Sequence, residues 1–218
     1  IYLGSGAACP IKLVEALLPH VKQCGDLEIV HGMTLGPLPW TESQYNANLK
    51  VNAFYLDPRL SALVNSGMDD YTPVHYSEIP QLFRDGVLRI DIALIMVSPP
   101  DEYGYCSLGT TVGWAPEALK SARYTIAQFN PAVPRTAGLS YLHYSEIDYG
   151  IEAESALPEL GTPEQTPEMK QIGEYVSQLI NDGDTLQFGV GPTGNCVARA
   201  LSQHRQIGIH SEVVGDGV

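Results

Sequence analysis

The chain has 218 residues, 44% of them hydrophobic, and a mean hydropathy near zero. That is enough chain to bury a substantial core, as one large domain or as one domain with part of another. Twelve basic residues stand against 25 acidic ones, a net charge of −13, and with no Lys/Arg cluster this excludes nucleic acid as the expected partner.

Ile1–Leu3 predicts a short strand. Pro10 then opens a helical turn, and Leu13, Val14, Leu17, Leu18 and Val21 recur at helical spacing. Strands are expected at Leu27–His31, before the loop Gly32-Met33-Thr34, and at Asn52–Leu56. Ile79–Arg84 predicts a helix closed by Asp85-Gly86. Ile90–Val97 is the strongest strand, a continuous β-branched and apolar run of the kind that parallel strands covered on both faces show. Pro116–Ala122 predicts a helix and Tyr124–Gln128 a strand. This alternation predicts an α/β fold with a mostly parallel sheet flanked by helices. The pentapeptide His-Tyr-Ser-Glu-Ile occurs at 75–79 and again at 143–147, but its flanks differ, so no tandem repeat is expected.

Leu157 to Pro167 is rich in Pro, Glu and Thr and predicts a linker. Thr166 can N-cap the next helix and Pro167 can fill its first turn. Met169, Ile172, Val176, Leu179 and Ile180 share one face of that helix, and Asp182-Gly183-Asp184 stops it. A domain boundary is therefore placed near residue 165, with one α/β domain over 1–165 and the first βαβ of a second over 166–218. The chain opens strand-like on Ile1 without an initiator Met and ends in mid-loop at Val218, so a fragment of a longer protein is expected.

Cys9, Cys24, Cys106 and Cys196 are far apart, which predicts buried free thiols in a reducing, cytoplasmic compartment. No two of the six histidines are close enough to suggest a metal site. The longest apolar run, Ile92–Val97, is far short of the roughly 20 residues that span a bilayer, and no membrane association is expected.

The last stretch carries the chemistry. A strand over Thr185–Gly191 runs into a glycine loop, a helix and a second strand over Ile207–Ser211, which delivers Glu212. Gly189-Val190-Gly191-Pro192-Thr193-Gly194 satisfies G-x-G-x-x-G, and Glu212 lies about 20 residues on, as in a dinucleotide fingerprint. Two features oppose that reading. Pro192 has no N–H to offer a pyrophosphate, and Gln187 is a polar residue in a strand that should be nearly all apolar. The alternative makes Glu212 a nucleophile. A carboxylate attacks a thioester only when held dry and oriented. The oxyanion then needs preorganised donors, which glycine-loop amides supply, each worth about 3–4 kcal/mol. Gln187 would orient the carboxylate or donate to the oxyanion.

Gln187-Phe188-Gly189-Val190-Gly191, followed by Ile209-His210-Ser211-Glu212-Val213-Val214-Gly215-Asp216-Gly217-Val218, resembles the acetyl-CoA hydrolase/transferase family, which includes acetate and 4-hydroxybutyrate CoA-transferases. The resemblance extends to Asp70-Tyr71-Thr72-Pro73-Val74 and Tyr76-Ser77-Glu78-Ile79-Pro80. It continues through Val97-Ser98-Pro99-Pro100-Asp101-Glu102-Tyr103-Gly104-Tyr105-Cys106-Ser107-Leu108-Gly109 and Asn130-Pro131-Ala132-Val133-Pro134-Arg135-Thr136. Two departures, Gly138-Leu139-Ser140 for a usual Gly-Asp-Ser and Ala7-Ala8-Cys9-Pro10 for a Cys-Gly-Glu-Pro-like loop, bear on which carboxylate is accepted.

The resemblance implies a ping-pong CoA transfer between an acyl-CoA and a small carboxylate such as acetate, through an anhydride and a glutamyl-CoA thioester on Glu212. A hydrolase would use water as acceptor on the same site. The resemblance further implies that the Val190 amide, with Gly189 and Gly191, lies in the oxyanion and CoA loop. No cofactor is expected to stay bound; coenzyme A enters as a thioester substrate. CoA contacts would fall largely beyond these 218 residues, so the isolated chain is expected to be inactive, and a homo-oligomer is expected of the full-length protein. His31, at a strand end, is a candidate for the substrate pocket. Arg135 is expected to pair with an acid inside the first domain or to meet a substrate carboxylate.

Overall fold

Six apolar residues, Ile92–Val97, form β5, an interior strand of a seven-stranded parallel sheet. The computed structural model describes residues 1–161, 164–189 and 191–218, and the chain divides into two compact units, Ile1–Glu159 and Leu160–Val218. In the first unit the elements run β1 (Tyr2–Leu3), α1 (Ile11–Leu17), α2 (Val21–Cys24), β2 (Leu27–His31), β3 (Leu49–Ala53), α3 (Pro58–Asn65), β4 (Asp70–Tyr71), α4 (Ile79–Arg84) and β5. They continue with β6 (Tyr105–Ser107), α5 (Ala115–Ser121), β7 (Tyr124–Phe129), β8 (Tyr141–His143) and β9 (Tyr149–Glu152). The sheet order is β4-β3-β2-β1-β5-β7-β9, while β6 and β8 form a separate antiparallel ribbon. The expected α/β architecture, a mostly parallel sheet flanked by helices, is the one observed.

Period-two alternation explains why both faces are covered. Tyr2, Val30, Ala93, Ile95 and Val97 face one core with Ile79 and Phe83 of α4 and Ala115 and Ala118 of α5. Their neighbours Leu3, Ile29 and Leu94 face the other, with Val14 of α1, Val21 of α2 and Leu60 of α3. The strand order reverses direction between β1 and β5, so the crevice outside their carboxyl ends is the usual ligand position of such sheets.

Several boundaries differ from expectation. The third strand runs Leu49–Ala53 rather than Asn52–Leu56, because Leu49, Val51 and Ala53 are the buried face and the chain bends at Phe54-Tyr55. That bend lets Asp57 N-cap α3: its Oδ1 accepts from the N–H groups of Arg59 and Leu60 at 2.8 and 3.0 Å. Cys24 is exposed on the last turn of α2, whereas Cys9, Cys106 and Cys196 are buried. Burial pushes the Cys9 and Cys106 thiols up to about 12 and about 11, so both stay protonated. The two copies of the pentapeptide share a 3₁₀ turn over Tyr-Ser-Glu, then diverge into α4 and toward β9.

Two fully buried amides tie the end of the sheet together. Gln128 accepts the Lys12 N–H at 3.1 Å and donates to the Ala153 carbonyl at 3.0 Å. Asn130 donates to the Ser155 carbonyl at 2.8 Å and accepts the Ala132 N–H at 3.1 Å. Among the described residues, no helix is long and apolar enough to cross a membrane.

Candidate active site

The second unit is small: α6 (Pro167–Ser177), β10 (Thr185–Leu186), α7 (Pro192–Ala200) and β11 (Gly208–Ile209). Thr166 caps α6 by accepting the Met169 N–H at 3.3 Å. Gly173 lets the two helices touch; a Cβ there would lie 2.7 Å from the Cys196 carbonyl oxygen. β10 and β11 pair in parallel, Thr185 with Gly208 and Leu186 with Ile209. Both strands are shorter than the sequence suggests. Beyond Leu186 and Ile209 the backbone ladder ends with the His210 N–H donating to the Leu186 carbonyl at 2.9 Å.

Gln187 therefore lies past the strand rather than inside it. It is exposed, and its Nε2 donates to the Phe188 carbonyl at 2.9 Å, its own neighbour rather than Glu212. Glu212 is exposed three residues beyond β11. Ser211 links the two segments. Its hydroxyl accepts the Phe188 N–H and donates to the Phe188 carbonyl, both at 3.1 Å. The Val190 amide lies outside the described residues.

The glycine loop and the segment after Glu212 line one cleft of about 270 Å³. Its lining includes Gly189, Gly191 and Gly194 of the glycine loop, Val213 to Asp216 of the later segment, and Phe188. Gly191 is the N-cap residue of α7 with φ +136°, a backbone region that side chains with a Cβ avoid. A Cβ on Gly194 would sit 3.1 Å from the Gly189 carbonyl, so that turn is also closely packed. Among the described residues the lining contains no basic side chain and one acid, Asp216.

His31 belongs to the other unit, where it is fully buried. Its Nδ1 meets Thr34 Oγ1 at 3.1 Å, and its ring stands edge-on to Trp40 at 5.5 Å. Burial pushes its pKa down to about 4, so it is neutral at physiological pH. Arg135 pairs with an acid of its own unit: Nη2 donates to Asp101 at 2.8 Å and to the Tyr105 carbonyl at 3.0 Å, and Nη1 donates to Ser98 at 3.0 Å. The Tyr105 N–H, then the Tyr103 N–H and Arg135, hold the Asp101 carboxyl below its ordinary range.

Two residues of the second unit were missed from sequence. Ser211 immediately precedes the acid, and Asn195 immediately follows the glycine motif. The signal for Asn195 was the glycine pair after Glu212; nothing local in the sequence marks Ser211. Gly215 and Gly217 each press against Asn195, whose Oδ1 accepts the Gly217 N–H at 3.2 Å.

Residues 1–158 match the family described as the acetyl-CoA hydrolase/transferase N-terminal domain. The chain is 41% identical over 209 residues to the 4-hydroxybutyrate coenzyme A transferase of Clostridium kluyveri, covering 96% of this chain and 49% of that protein. It is 39% identical over 209 residues to the succinyl-CoA:cyclohexane-1-carboxylate CoA transferase of Geobacter metallireducens, covering 96% and 47%. Among solved structures, RipA from Yersinia pestis superposes with a TM-score of 0.91 at 28% identity, over 99% of this chain and 53% of that one. The 4-hydroxybutyrate CoA-transferase of Porphyromonas gingivalis gives 0.81 at 29%, over 99% and 50%. The chain spans about half the length of the curated relatives it matches. With a match over residues 1–158 and relatives of this similarity, the chain belongs to the acetyl-CoA hydrolase/transferase family.

Proposed function

We propose that this chain carries the nucleophile of a CoA-transferase that moves CoA between an acyl-CoA and a short-chain carboxylate, with Glu212 as the attacking group. The supporting observation is the cleft beside Glu212, lined mostly by glycine backbone and apolar side chains with Asn195 and Asp216, and with no basic group among the described residues. Such a lining suits an uncharged thioester. It does not suit a pyrophosphate, which would meet Asp216 with no cation to offset it and a Pro192 that has no N–H. The relatives' names, all CoA transferases, point the same way.

In the proposed sequence the Glu212 carboxylate attacks the thioester carbonyl, the C–S bond breaks, and CoA leaves as thiolate, giving a mixed anhydride. The thiolate then attacks the glutamyl carbonyl of the anhydride. This releases the first carboxylate and leaves a glutamyl-CoA thioester. The second carboxylate runs both steps backward, and no proton or water is consumed overall. The Val190 amide, with Gly189 and Gly191, is the proposed donor loop for the tetrahedral oxyanion. Gln187, now on the Phe188 carbonyl, would have to release that local bond to reach Glu212. His31, the candidate for the substrate pocket, has a fully buried ring held by Thr34 and Trp40, which fits a structural role within its own unit. Glu212 is exposed and stays hydrated until a bound acyl-CoA covers it, which is the desolvation the attack needs.

The test uses the full-length protein incubated with acyl-CoA and then borohydride. A glutamyl thioester is reduced, and the Glu212 peptide appears by mass spectrometry as its alcohol. An unmodified peptide together with saturable NAD binding would support a dinucleotide module instead. Water, acetate, succinate and 4-hydroxybutyrate offered as competing acceptors separate hydrolase from transferase and identify the acid.

A further inference from the structure

The Glu212 carboxylate has no hydrogen bond or ion pair among the described residues, so the backbone of its own segment sets where it can reach. Two side chains hold that segment, one at each end. Upstream, the β10–β11 ladder has already ended, and the Ser211 hydroxyl takes over as both acceptor and donor, 3.1 Å from the N–H and from the carbonyl of Phe188. Downstream, Asn195 Oδ1 accepts the Gly217 N–H at 3.2 Å. A Cβ on Gly217 would lie 2.5 Å from the Asn195 carbonyl oxygen, and one on Gly215 would collide with Asn195 Oδ1. The loop after Glu212 therefore lies flat on the first turns of α7, the helix whose leading glycines wall the cleft.

We propose that Ser211 and Asn195 are positioning residues for Glu212, a two-point clamp that fixes its carboxylate relative to a thioester lodged in the cleft. This rests on the reading of Glu212 as nucleophile. Reacting atoms must be held near contact distance for attack, and a misplacement of about 1 Å can slow a reaction roughly a hundredfold. The clamp also explains the two glycines: Gly217 passes against the Asn195 backbone and offers the N–H that Asn195 binds, and Gly215 leaves room for the Asn195 side chain.

The test is timed trapping in the full-length protein, with acyl-CoA added and borohydride quenching at intervals. Ser211→Ala should slow conversion of Glu212, and kcat with it, roughly 10- to 100-fold, with KM for acyl-CoA within about threefold of the parent. Ser211→Thr, which keeps the hydroxyl, should restore most of the rate. Asn195→Leu should behave like Ser211→Ala, and Asn195→Asp, which keeps the acceptor, should behave like the parent. A merely structural role would lower the final amount of Glu212 trapped and leave the rate per trapped site unchanged, which would overturn the clamp. If Ser211→Ala does not fold, the Asn195→Leu and Asn195→Asp pair decides by the same criterion. Parent protein that traps at Glu212, with both variants trapping equally fast, overturns the clamp alone. Parent protein that transfers CoA with no trapping at Glu212 overturns the nucleophile reading and the clamp with it.

Discussion

The two units of this chain solve different problems. Ile1–Glu159 stacks seven parallel strands between two apolar layers, and its buried amides Gln128 and Asn130 find partners on neighbouring segments. Leu160–Val218 has two strands of two residues each, and α6 leaves Ile172 and Tyr175 exposed. The first unit contains most of the buried apolar surface. The second holds the acid proposed to react, on a loop kept in register by a hydroxyl, an amide and two closely packed glycines, Gly215 and Gly217. Ordered sheets make a scaffold, and reacting groups sit on loops that the scaffold or its local substitutes hold. If that division is right, substitutions in one unit should change stability and substitutions in the other should change rate.

The sharpest contrast is expected from Glu212→Gln in the full-length protein. CoA transfer should fall on the order of 10⁴-fold, as when a covalent nucleophile is removed, while thermal melting stays at the parent value because the side chain is exposed. A steady-state transfer assay beside a melting curve reads both. Transfer within tenfold of the parent would place the chemistry elsewhere. On the other side of the division, Ile95→Ala removes a side chain only 2% exposed in the middle of β5. It should lower stability by about 2–5 kcal/mol in urea unfolding, from lost burial plus the cavity left behind. Folded protein of that variant should keep its rate of Glu212 trapping, and a rate that falls with stability would blur the division.

The sequence was most legible where local signals and burial agree. Leu27–His31 and Ile79–Arg84 were placed to the residue, because apolar periodicity and flanking turn residues coincide there. α3 was missed although Asp57-Pro58 is a recognisable N-cap and first turn; its face has one fully buried residue, Leu60, and so a weak periodic signal. The ribbon of β6 and β8 and the edge strand β9 were missed for a different reason. They are short, each begins on an exposed tyrosine, β9 is exposed throughout, and only distant partners make them strands. In the second unit the glycine motif and the acid were legible, but the ends of the strands were not. Ser211 replaces the ladder with a side chain, a non-local event that no period in the sequence announces.

A titration of stability separates the units further. His31 is buried with a pKa lowered to about 4, whereas an unfolded histidine titrates near 6.5. Above pH 6.5 the ring is neutral in both states and folding is unopposed. As the pH falls from 6.5 toward 4 the unfolded chain takes up a proton that the folded chain refuses, and stability is lost through that window. The loss approaches about 3 kcal/mol at its lower end. Urea melts at pH 7 and pH 4.5 should show this slope in the parent and a flatter one in His31→Phe, which cannot titrate. Equal slopes in the two proteins would mean that His31 is solvated in solution.

The smallest expected effect is local to the second unit. Gly173→Ala would set a Cβ 2.7 Å from the Cys196 carbonyl, so α6 must move away from α7. Overpacking of this kind costs about 1–3 kcal/mol. Because the contact joins only these two helices, the penalty should appear as faster amide hydrogen exchange in α6, α7, β10 and β11, with β5 and β7 protected as in the parent. The same shift should also loosen Asn195, the residue next to Cys196, and slow Glu212 trapping by a few-fold, well short of the Glu212→Gln effect. Uniform loss of protection through the seven-stranded sheet would mean that the units open together, and the comparison between scaffold and reacting loop would then have to be drawn inside one cooperative structure.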